Sequence, residues 1–510
     1  LLEKCVNIVE SQYGKNSSER ARILHLFGLI YYNLFDYHKA ITVFKKVVHI
    51  KKTIFGTGSL KFNESLLHLA MISSDIGQHF KATELLEPAI TVIQNHYGEN
   101  HVKTADALMH LAKALYAVGN YARSEKLLRK ALSLYTDSFS SEHLITAEVY
   151  HIMSSIYRQK GYYKESIDML NKALKIRRRE YGDDNVLVAE LKVKLAHAYR
   201  HIGEYNTALP LLKSAISVYK NKYGINNMNT AWAMTYLGHL FWDSGKINDS
   251  IQLLTQASEI MTKNYGEENL YTAWSFLRLG YILTATGSYD KAREFIQKGY
   301  KIYGKYYKYP HIEKAWSDAY IGSFYNKTNK LTLALSHLKK ALEIYQKQFG
   351  KNHKRTNWIK IMLADNYSRR GDFAKALKLS EEAYESYRLH YGEQHSKTAL
   401  SLQAVGRIYF AHGLSKGEKL VRESLKILES QNSSKLYSTF SIMADIAFKK
   451  AQTHKRNGKM IKAQHYYRKS QEYLDQSLKI AKRNLLSDSE HIKFLEQKSA
   501  KLASMNFLDN

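Results

Sequence analysis

The chain has 510 residues, with 76 Lys and Arg against 47 Asp and Glu, so its formal net charge is +29. The hydrophobic fraction of 45% excludes a disordered polyelectrolyte, and the 3 prolines exclude a collagen-like or proline-rich chain. The single cysteine, Cys5, excludes a disulfide framework and multi-cysteine metal sites. No apolar run approaches the roughly 20 residues of a membrane span. The first residues do not read as a signal peptide, and we expect a soluble, cytoplasmic protein.

Aromatic–glycine pairs divide the chain at a constant interval of 42 residues. They are Tyr13-Gly14, Phe55-Gly56, Tyr97-Gly98, Tyr181-Gly182, Tyr223-Gly224, Tyr265-Gly266, Phe349-Gly350 and Tyr391-Gly392, with Phe139-Ser140 and Tyr307-Lys308 in the same register. A second column lies in the middle of each interval and comprises Phe35, Gly77, Gly119, Gly161, Gly203, Gly245, Gly287, Asn329, Gly371 and Gly413. A period of this kind is the signature of a repeat protein.

In chain order, residues 1–14 are predicted to form the second helix of a truncated repeat, so we expect the chain to begin inside a repeat of a longer protein. Ten 42-residue units follow over residues 15–433. An eleventh helix pair, out of register, is predicted over 434–482, and a capping helix over 483–510. Atypical ends of this kind are expected of a stacked array, whose terminal repeats must cover an exposed core.

Each unit is predicted to contain two amphipathic helices. Leu108, Leu111 and Leu115 share one face of the first helix, and Leu128 and Tyr135 share one face of the second. Small residues recur in two columns, one per helix. They are Gly28, Ala70, Ala112, Ser154, Ala196, Gly238, Gly280, Gly322, Ala364 and Gly406, and Ala89, Ala131, Ala173, Ala215, Ala257, Gly299, Ala341 and Ala383. We expect the paired helices to touch there, so that a larger side chain costs about 1–3 kcal/mol by overpacking.

These features resemble the tetratricopeptide repeat, in the 42-residue form of kinesin light chains and nephrocystin-like proteins. The resemblance rests on the small-residue columns, on Gly-x-aromatic turns such as Gly119-Asn120-Tyr121, and on helix openings such as His101-x-x-Thr104-Ala105. It implies an all-α fold, an α-solenoid in which about eleven antiparallel helix pairs coil into a right-handed superhelix. It also implies that the first helices line a concave groove that binds peptides.

The resemblance places four first-helix columns, those of residues 106, 109, 113 and 116, in the groove. The kinesin groove commonly uses an asparagine in the 109 column, where this chain has Met109 and His151, so the kinesin cargo motif is not expected to transfer. Four of the 5 tryptophans occupy the 106 column in consecutive units, and the fifth lies in the 116 column. The five are Trp232, Trp274, Trp316 and Trp358, and Trp242. The indoles have two interpretations, packing between helices or an aromatic floor for a peptide.

Cations, histidines and a tyrosine fill other groove positions. The predicted peptide-binding residues besides the tryptophans are Lys113, Arg158, His197, Arg200, His239, Tyr281 and Arg407. Arg158 and Arg200 share a column in neighbouring units, where two guanidinium groups could hold one carboxylate or phosphate. This favours an acidic partner, although Asp106, Glu148 and Glu190 are available to neutralise the arginines.

We therefore expect a protein-interaction scaffold or adaptor that binds a partner protein or peptide along the groove. No phosphate-binding loop, dinucleotide fingerprint, zinc-protease motif or nucleophile elbow occurs in the sequence, so we expect no enzyme, catalytic residue, metal or cofactor. Two alternatives stay open. One is a ligand-sensing module of a larger nucleotide-switch protein, and the other is a nucleic-acid binder with a basic groove. Specific nucleic-acid binding is not expected.

Overall fold

The computed structural model describes residues 2–34, 36–76, 78–307, 310–431, 433 and 435–504. Phe35 and Gly77 of the mid-unit column, Lys308, and the last six residues of the predicted cap lie outside the described residues. Among the residues described, every regular element is an α-helix and no strand occurs.

The helices follow one another along the whole chain. They are α1 Leu2–Tyr13, α2 Ser18–Asn33, α3 Tyr37–Phe55, α4 Leu60–Asp75, α5 His79–Tyr97, α6 Val102–Ala117, α7 Tyr121–Ser138, α8 Leu144–Lys160, α9 Tyr163–Tyr181, α10 Val186–His201, α11 Tyr205–Tyr223 and α12 Met228–Asp243. They continue as α13 Ile247–Tyr265, α14 Leu270–Thr286, α15 Tyr289–Tyr306, α16 Ile312–Lys327, α17 Leu331–Phe349, α18 Lys354–Arg369, α19 Phe373–Tyr391, α20 Ser396–Ala411, α21 Lys416–Ser430, α22 Leu436–Arg456, α23 Met460–Asn484 and α24 Glu490–Ala503. Consecutive helices pack in pairs, from α2 with α3 to α22 with α23.

The predicted all-α solenoid is confirmed. Its right-handed coiling and the boundaries of the predicted repeats, truncated start and cap stay predictions.

The turn residues work as the sequence predicts. Most second helices end at a glycine of the aromatic–glycine pair, whose φ is positive, as at Gly98 and Gly392. Asn329 stands where the mid-unit column lacks its glycine and adopts φ +60°, the left-handed conformation that asparagine tolerates better than most residues.

The small-residue columns are sites of close helix contact. A Cβ added at Gly280 would lie 2.6 Å from Cγ1 of Ile296, and one added at Gly322 would lie 2.8 Å from Cγ of Leu338. In the second helices, a Cβ at Gly299 would lie 2.9 Å from the carbonyl oxygen of Ala273. Real Cβ atoms do not approach neighbours this closely, so the backbones of each pair are as near as glycine and alanine allow.

The chain forms two compact units, residues 1–182 (unit 1) and residues 183–510 (unit 2). In unit 1 the first helices of successive pairs contact each other, α4 with α6 and α6 with α8. In unit 2 the same holds for α10 with α12, α14 with α16, α16 with α18, α18 with α20 and α20 with α22. The second helices of successive pairs make no comparable contact in the part of the chain that the structure describes. The first helices therefore lie on the inner side of the curve of each unit.

Unit 2 curves far enough to contact itself. The segment between α23 and α24 lies on the turn between α14 and α15, about two hundred residues earlier. The backbone N–H of Glu490 donates to the carbonyl of Gly287 over 3.0 Å, and the hydroxyl of Ser489 donates to the carbonyl of Thr286. Lys291 and Asp488 form an ion pair at 2.8 Å. We call residues 286–291 and 488–491 the clasp.

Gly287 gives a direct test of the clasp. Its φ is +84°, and an added Cβ would lie 2.9 Å from Oγ of Ser489 and 3.0 Å from the backbone N of His491. Gly371 has φ +83° with no atom within 4 Å of its added Cβ, so Gly371→Ala is a matched control. We expect both variants to lose about 1–2 kcal/mol to the left-handed backbone. Gly287→Ala should lose a further 1–3 kcal/mol, roughly, to the clash.

The measurement is chemical unfolding, together with limited proteolysis after α23. Gly287→Ala should expose α24 to protease, whereas Gly371→Ala should not. Equal stability and equal cleavage of the two variants would contradict the clasp.

Candidate functional site

The inner face of unit 2 is the surface formed by its first helices, α10, α12, α14, α16, α18 and α20. Trp232, Trp274, Trp316 and Trp358 lie there, one on each of four consecutive first helices, and all are half-buried. Trp316 packs on Tyr320, with ring centroids 4.5 Å apart, and on Tyr303, at 5.8 Å. The indoles therefore pack between helices and also present surface, which combines the two interpretations of the sequence.

Arg278 lies at the centre of this face. Its guanidinium carbon is 4.5 Å from the centroid of the Trp274 ring and 5.3 Å from that of the Trp316 ring, so two indoles flank one cation. One of its terminal nitrogens, Nη1, donates to Nε2 of His239 over 2.9 Å. The other, Nη2, makes no hydrogen bond with any residue that the structure describes.

Sequence reasoning missed Arg278 because it placed the 109 column in the groove and left out the 110 column. The 109 column is part of the packed interior of unit 2, where Val193, Thr235 and Leu277 are fully buried. That prediction is wrong for these positions. The next residue along each helix faces inward instead, as Tyr236 and Arg278 do, because one step turns the helix by about 100°.

A second aromatic cluster adjoins the first. The ring of Tyr281 stacks on Tyr320 at 4.7 Å between centroids, and Trp358 meets both rings edge-on at 5.6 Å. Burial raises the pKa of the Tyr281 phenol, so the phenol stays neutral and polar at physiological pH. The predicted residue Tyr281 thus belongs to a continuous aromatic surface with the tryptophans.

Paired charges flank the aromatic residues. Arg200 donates to the carboxylate of Asp243 over 3.1 Å and contacts His201, whose Nε2 is 3.1 Å from that of His197. Arg200 therefore has a carboxylate partner within unit 2, and that partner is Asp243 and not Glu190. Glu190 pairs with Lys194 at 2.8 Å.

Arg407 forms a comparable pair with the carboxylate of Asp365, which Arg369 also approaches at 3.7 Å. Burial alone would raise the pKa of Asp365, but the charges of Arg407, Lys327 and Arg369 outweigh that effect and hold the pKa at about 2. Three cations thus surround one carboxylate at this point of the inner face.

The two predicted residues of unit 1 have protein partners. Lys113 pairs with Glu148 at 3.0 Å, and Glu148 also binds Arg177. Among the described residues, the guanidinium group of Arg158 donates only to the hydroxyl of Tyr116, at 3.5 Å. The joint anion site of Arg158 and Arg200 stays a prediction.

Trp242 has a different environment from the other tryptophans. The ammonium group of Lys435 lies 5.1 Å from the centroid of its ring, and the ring packs against the cores around Leu283 and Leu485. It therefore lies where the end of unit 2 returns to its earlier helices.

The histidines at the helix openings cap helices. Nδ1 of His353 accepts from the backbone N–H of Arg355 over 3.2 Å, and the ring stacks on Phe349 at 4.5 Å. His101, His143, His311 and His395 do the same. Within the described ranges, no group of three or more His, Cys, Asp or Glu is placed to hold a metal ion, and no helix is long and apolar enough to cross a membrane.

Comparison with protein-family models decides the family. A tetratricopeptide repeat model matches residues 62–137, 104–179, 145–221, 187–263, 229–305, 313–389 and 356–430, and a second tetratricopeptide repeat model matches 21–53. The chain belongs to the tetratricopeptide repeat family. The resemblance seen in the sequence is confirmed. No curated protein sequence matches.

Several solved structures are similar at low identity. A putative kinesin light chain with nearly identical TPR-like repeats from Podosopora anserina is 21% identical, with 40% of this chain and 96% of that chain covered and a TM-score of 0.35. BtubC from P. vanneervenii is 18% identical, with 47% and 94% covered and a TM-score of 0.35. A Rap protein complexed with competence and sporulation factor is 15% identical, with 80% and 100% covered and a TM-score of 0.48.

Buried histidines should make the stability of this tetratricopeptide repeat protein fall in mild acid. Burial, with the charges of Arg278 and Arg200, lowers the pKa of His239 far below its ordinary 6.5, and burial lowers that of His491 to about 4. Because these pKa values are lower in the folded state than in the unfolded state, the contribution is complete above about pH 6.5 and is lost as the pH falls toward 4. In that pH range each histidine lowers the free energy of unfolding by up to about 1.4 kcal/mol per pH unit.

Urea unfolding at pH 7.5, 6.0 and 5.0 measures this loss of stability. This pH range isolates the histidines, because carboxylates in unfolded chains titrate mainly below it. His239→Gln keeps an acceptor for Arg278 and should reduce the loss. The control His465→Gln, on the exposed side of α23, should leave it unchanged. A free energy of unfolding that does not vary over this range would contradict the expectation.

Proposed function

We propose that this protein is an interaction scaffold that holds an extended acidic segment of a partner protein along the inner face of unit 2. Tetratricopeptide solenoids present extended concave surfaces of this kind to their partners. The observation that carries the proposal is Arg278, a cation that two indoles hold in place and whose Nη2 is left to bind an acceptor.

The charge balance of the inner face supports an acidic partner. The cations at or beside it are Lys194, Arg200, Arg278, Lys327, Arg355, Arg369 and Arg407. The carboxylates among them are Glu190, Asp243, Glu313 and Asp365. Seven cations thus face four carboxylates. Burial raises the pKa of Glu313, and the charges of Arg355 and Arg278 oppose that effect.

The aromatic residues supply the second part of the interface. Trp274 and Trp316 are held by packing, so their side chains lose little conformational entropy when a partner binds. Flat indole and phenol surfaces accept apolar side chains of many shapes. Acidic residues interspersed with apolar ones would therefore suit the inner face better than a purely acidic run. Binding is mass action on a preformed surface, with no chemical step.

Selection of peptides from a random library on the immobilised protein tests this proposal. We expect acidic residues to be enriched, and we expect Arg278→Gln to weaken the selected peptides about tenfold, the scale of one charge-assisted hydrogen bond. Arg293→Gln is the matched control, because Arg293 lies on the second helix α15, half-exposed, and pairs only with Asp290. It should change the affinity less than about twofold.

Two results would contradict the proposal. One is selection without acidic enrichment, and the other is equal loss in both arginine variants. The competing nucleic-acid interpretation is tested in the same assay with single-stranded oligonucleotides. Oligonucleotide binding that competes with the peptide and falls linearly in log salt would favour that interpretation.

A further inference from the structure

The closure of unit 2 creates a cavity of about 760 Å³ that an open solenoid would not have. Its walls come from the turns after α10 and after α12, from the start of α20, and from Lys435. These walls approach each other at Gly203, where an added Cβ would lie 3.6 Å from Nε2 of His395. Residues nearly two hundred positions apart in the sequence thus share one cavity.

Two lysines line this cavity without a counter-ion of their own. The ammonium group of Lys397 lies 5.1 Å from the centroid of the Tyr391 ring, and that of Lys435 lies 5.1 Å from the centroid of the Trp242 ring. Neither ammonium group forms an ion pair or a hydrogen bond with any residue that the structure describes. The nearby carboxylate of Asp243 accepts instead from Arg200, over 3.1 Å.

Burial makes the charges of Lys397 and Lys435 costly. It lowers the pKa of both ammonium groups, and the charge of Asp243 offsets part of that effect. The charge of Lys397 also lowers the pKa of Lys435, and the charge of Arg200 lowers that of Lys397. Two cations, close enough to repel, are therefore held beside a cavity in which one carboxylate is already bound to an arginine. An anion would relieve both costs.

The start of α20 adds a third attraction for an anion. His395, Ser396 and Lys397, the first residues of this helix and its N-cap, all line the cavity. The helix has 16 residues, about four turns, and its N-terminal N–H groups carry the positive end of the helix dipole. The cap uses one of them, because Nδ1 of His395 accepts from the N–H of Lys397 over 3.1 Å.

We propose that this cavity binds a phosphate monoester through Lys397, Lys435 and the N-terminus of α20. The two ammonium groups, which come from different walls, and the N–H groups at the start of α20 together suit a dianion with three equivalent oxygens better than a planar carboxylate. Lysine binds phosphate as a point charge. The volume exceeds what a phosphate group fills, so the rest of the ligand would lie along Tyr205 and Tyr391. The site goes beyond the proposed function, since it uses neither Arg278 nor the four indoles of the 106 column.

The phosphate could belong to a phosphorylated side chain of a partner or to a small phosphorylated molecule. Isothermal titration at constant ionic strength with O-phosphoserine, glycerol 3-phosphate and inorganic phosphate measures the shared chemistry. A short phosphoserine peptide and its unphosphorylated form then separate the two sources. Tighter binding of the phosphopeptide than of glycerol 3-phosphate supports the side chain, and the reverse order supports the small molecule.

Lysine variants decide whether the binding is at this site. We expect Lys397→Gln and Lys435→Gln each to weaken phosphoserine at least fivefold, and Lys397→Arg and Lys435→Arg to keep most of the affinity. Lys416→Gln is the matched control, because its ammonium group also lies over a tyrosine ring, 5.0 Å from the centroid of Tyr409, but on the exposed start of α21. It should bind phosphoserine as the unmodified chain does.

The cavity site is overturned if no phosphate ligand binds, if the two glutamine variants bind as the unmodified chain does, or if Lys416→Gln loses as much as they do. Unfolding curves confirm that each variant is folded, and the two arginine variants keep the test valid if a glutamine variant is unstable. Arg278→Gln separates this site from the proposed function, since it should weaken binding of the selected acidic peptides about tenfold and leave phosphoserine binding unchanged.

Discussion

The structure depends on the contact between the two helices of each pair at their small residues. Glycine at positions such as 238, 280 and 322 lets a side chain of the partner helix lie where a Cβ would be, at 2.6–2.8 Å. A crossing this tight leaves little freedom in the angle between the helices. Because the interval of 42 residues repeats without insertion, the same step from one helix pair to the next recurs at every repeat. Within unit 2 a constant step bends the stack of helix pairs steadily and brings residues 286–291 and 488–491 together.

The curvature places the first and second helices in different environments. The second helices lie outside, where charged residues face solvent, and the first helices lie inside, where their side chains approach each other from several directions. On that inner surface the protein holds unusual combinations, such as Arg278 between two indoles and Asp365 among three cations. Closure also makes the cavity beside Lys397 and Lys435. Both proposed sites are thus consequences of one repeated helix contact, although they use different residues.

Much of the fold could be predicted because it is local and periodic. The helix pairs, the small columns and the left-handed turn at Asn329 follow from residues that contact neighbours in their own or the next unit. The inner face was only partly predictable. The tryptophans were found through their column, but Arg278 was missed and the 109 column was misplaced by one residue, because helix phase shifts the facing side by about 100° per residue.

The clasp and the cavity could not be predicted from the sequence, since their partners lie about two hundred residues apart and meet only through the accumulated bend. Nothing local to Asp488 or Lys397 indicates either contact. The ion-pair partner of Arg200 shows the same limit on a smaller scale. Asp243, which pairs with Arg200, belongs to the next 42-residue repeat, whereas Glu190 is closer along the chain.

The most direct test of the account is hydrogen–deuterium exchange of the intact chain with and without a selected acidic peptide. The account predicts slower exchange in the first helices α12, α14, α16 and α18, with the second helices α13, α15 and α17 unchanged. Protection confined to the second helices, or to the connection around Lys351 between α17 and α18, would show that the partner binds outside and would contradict the central claim.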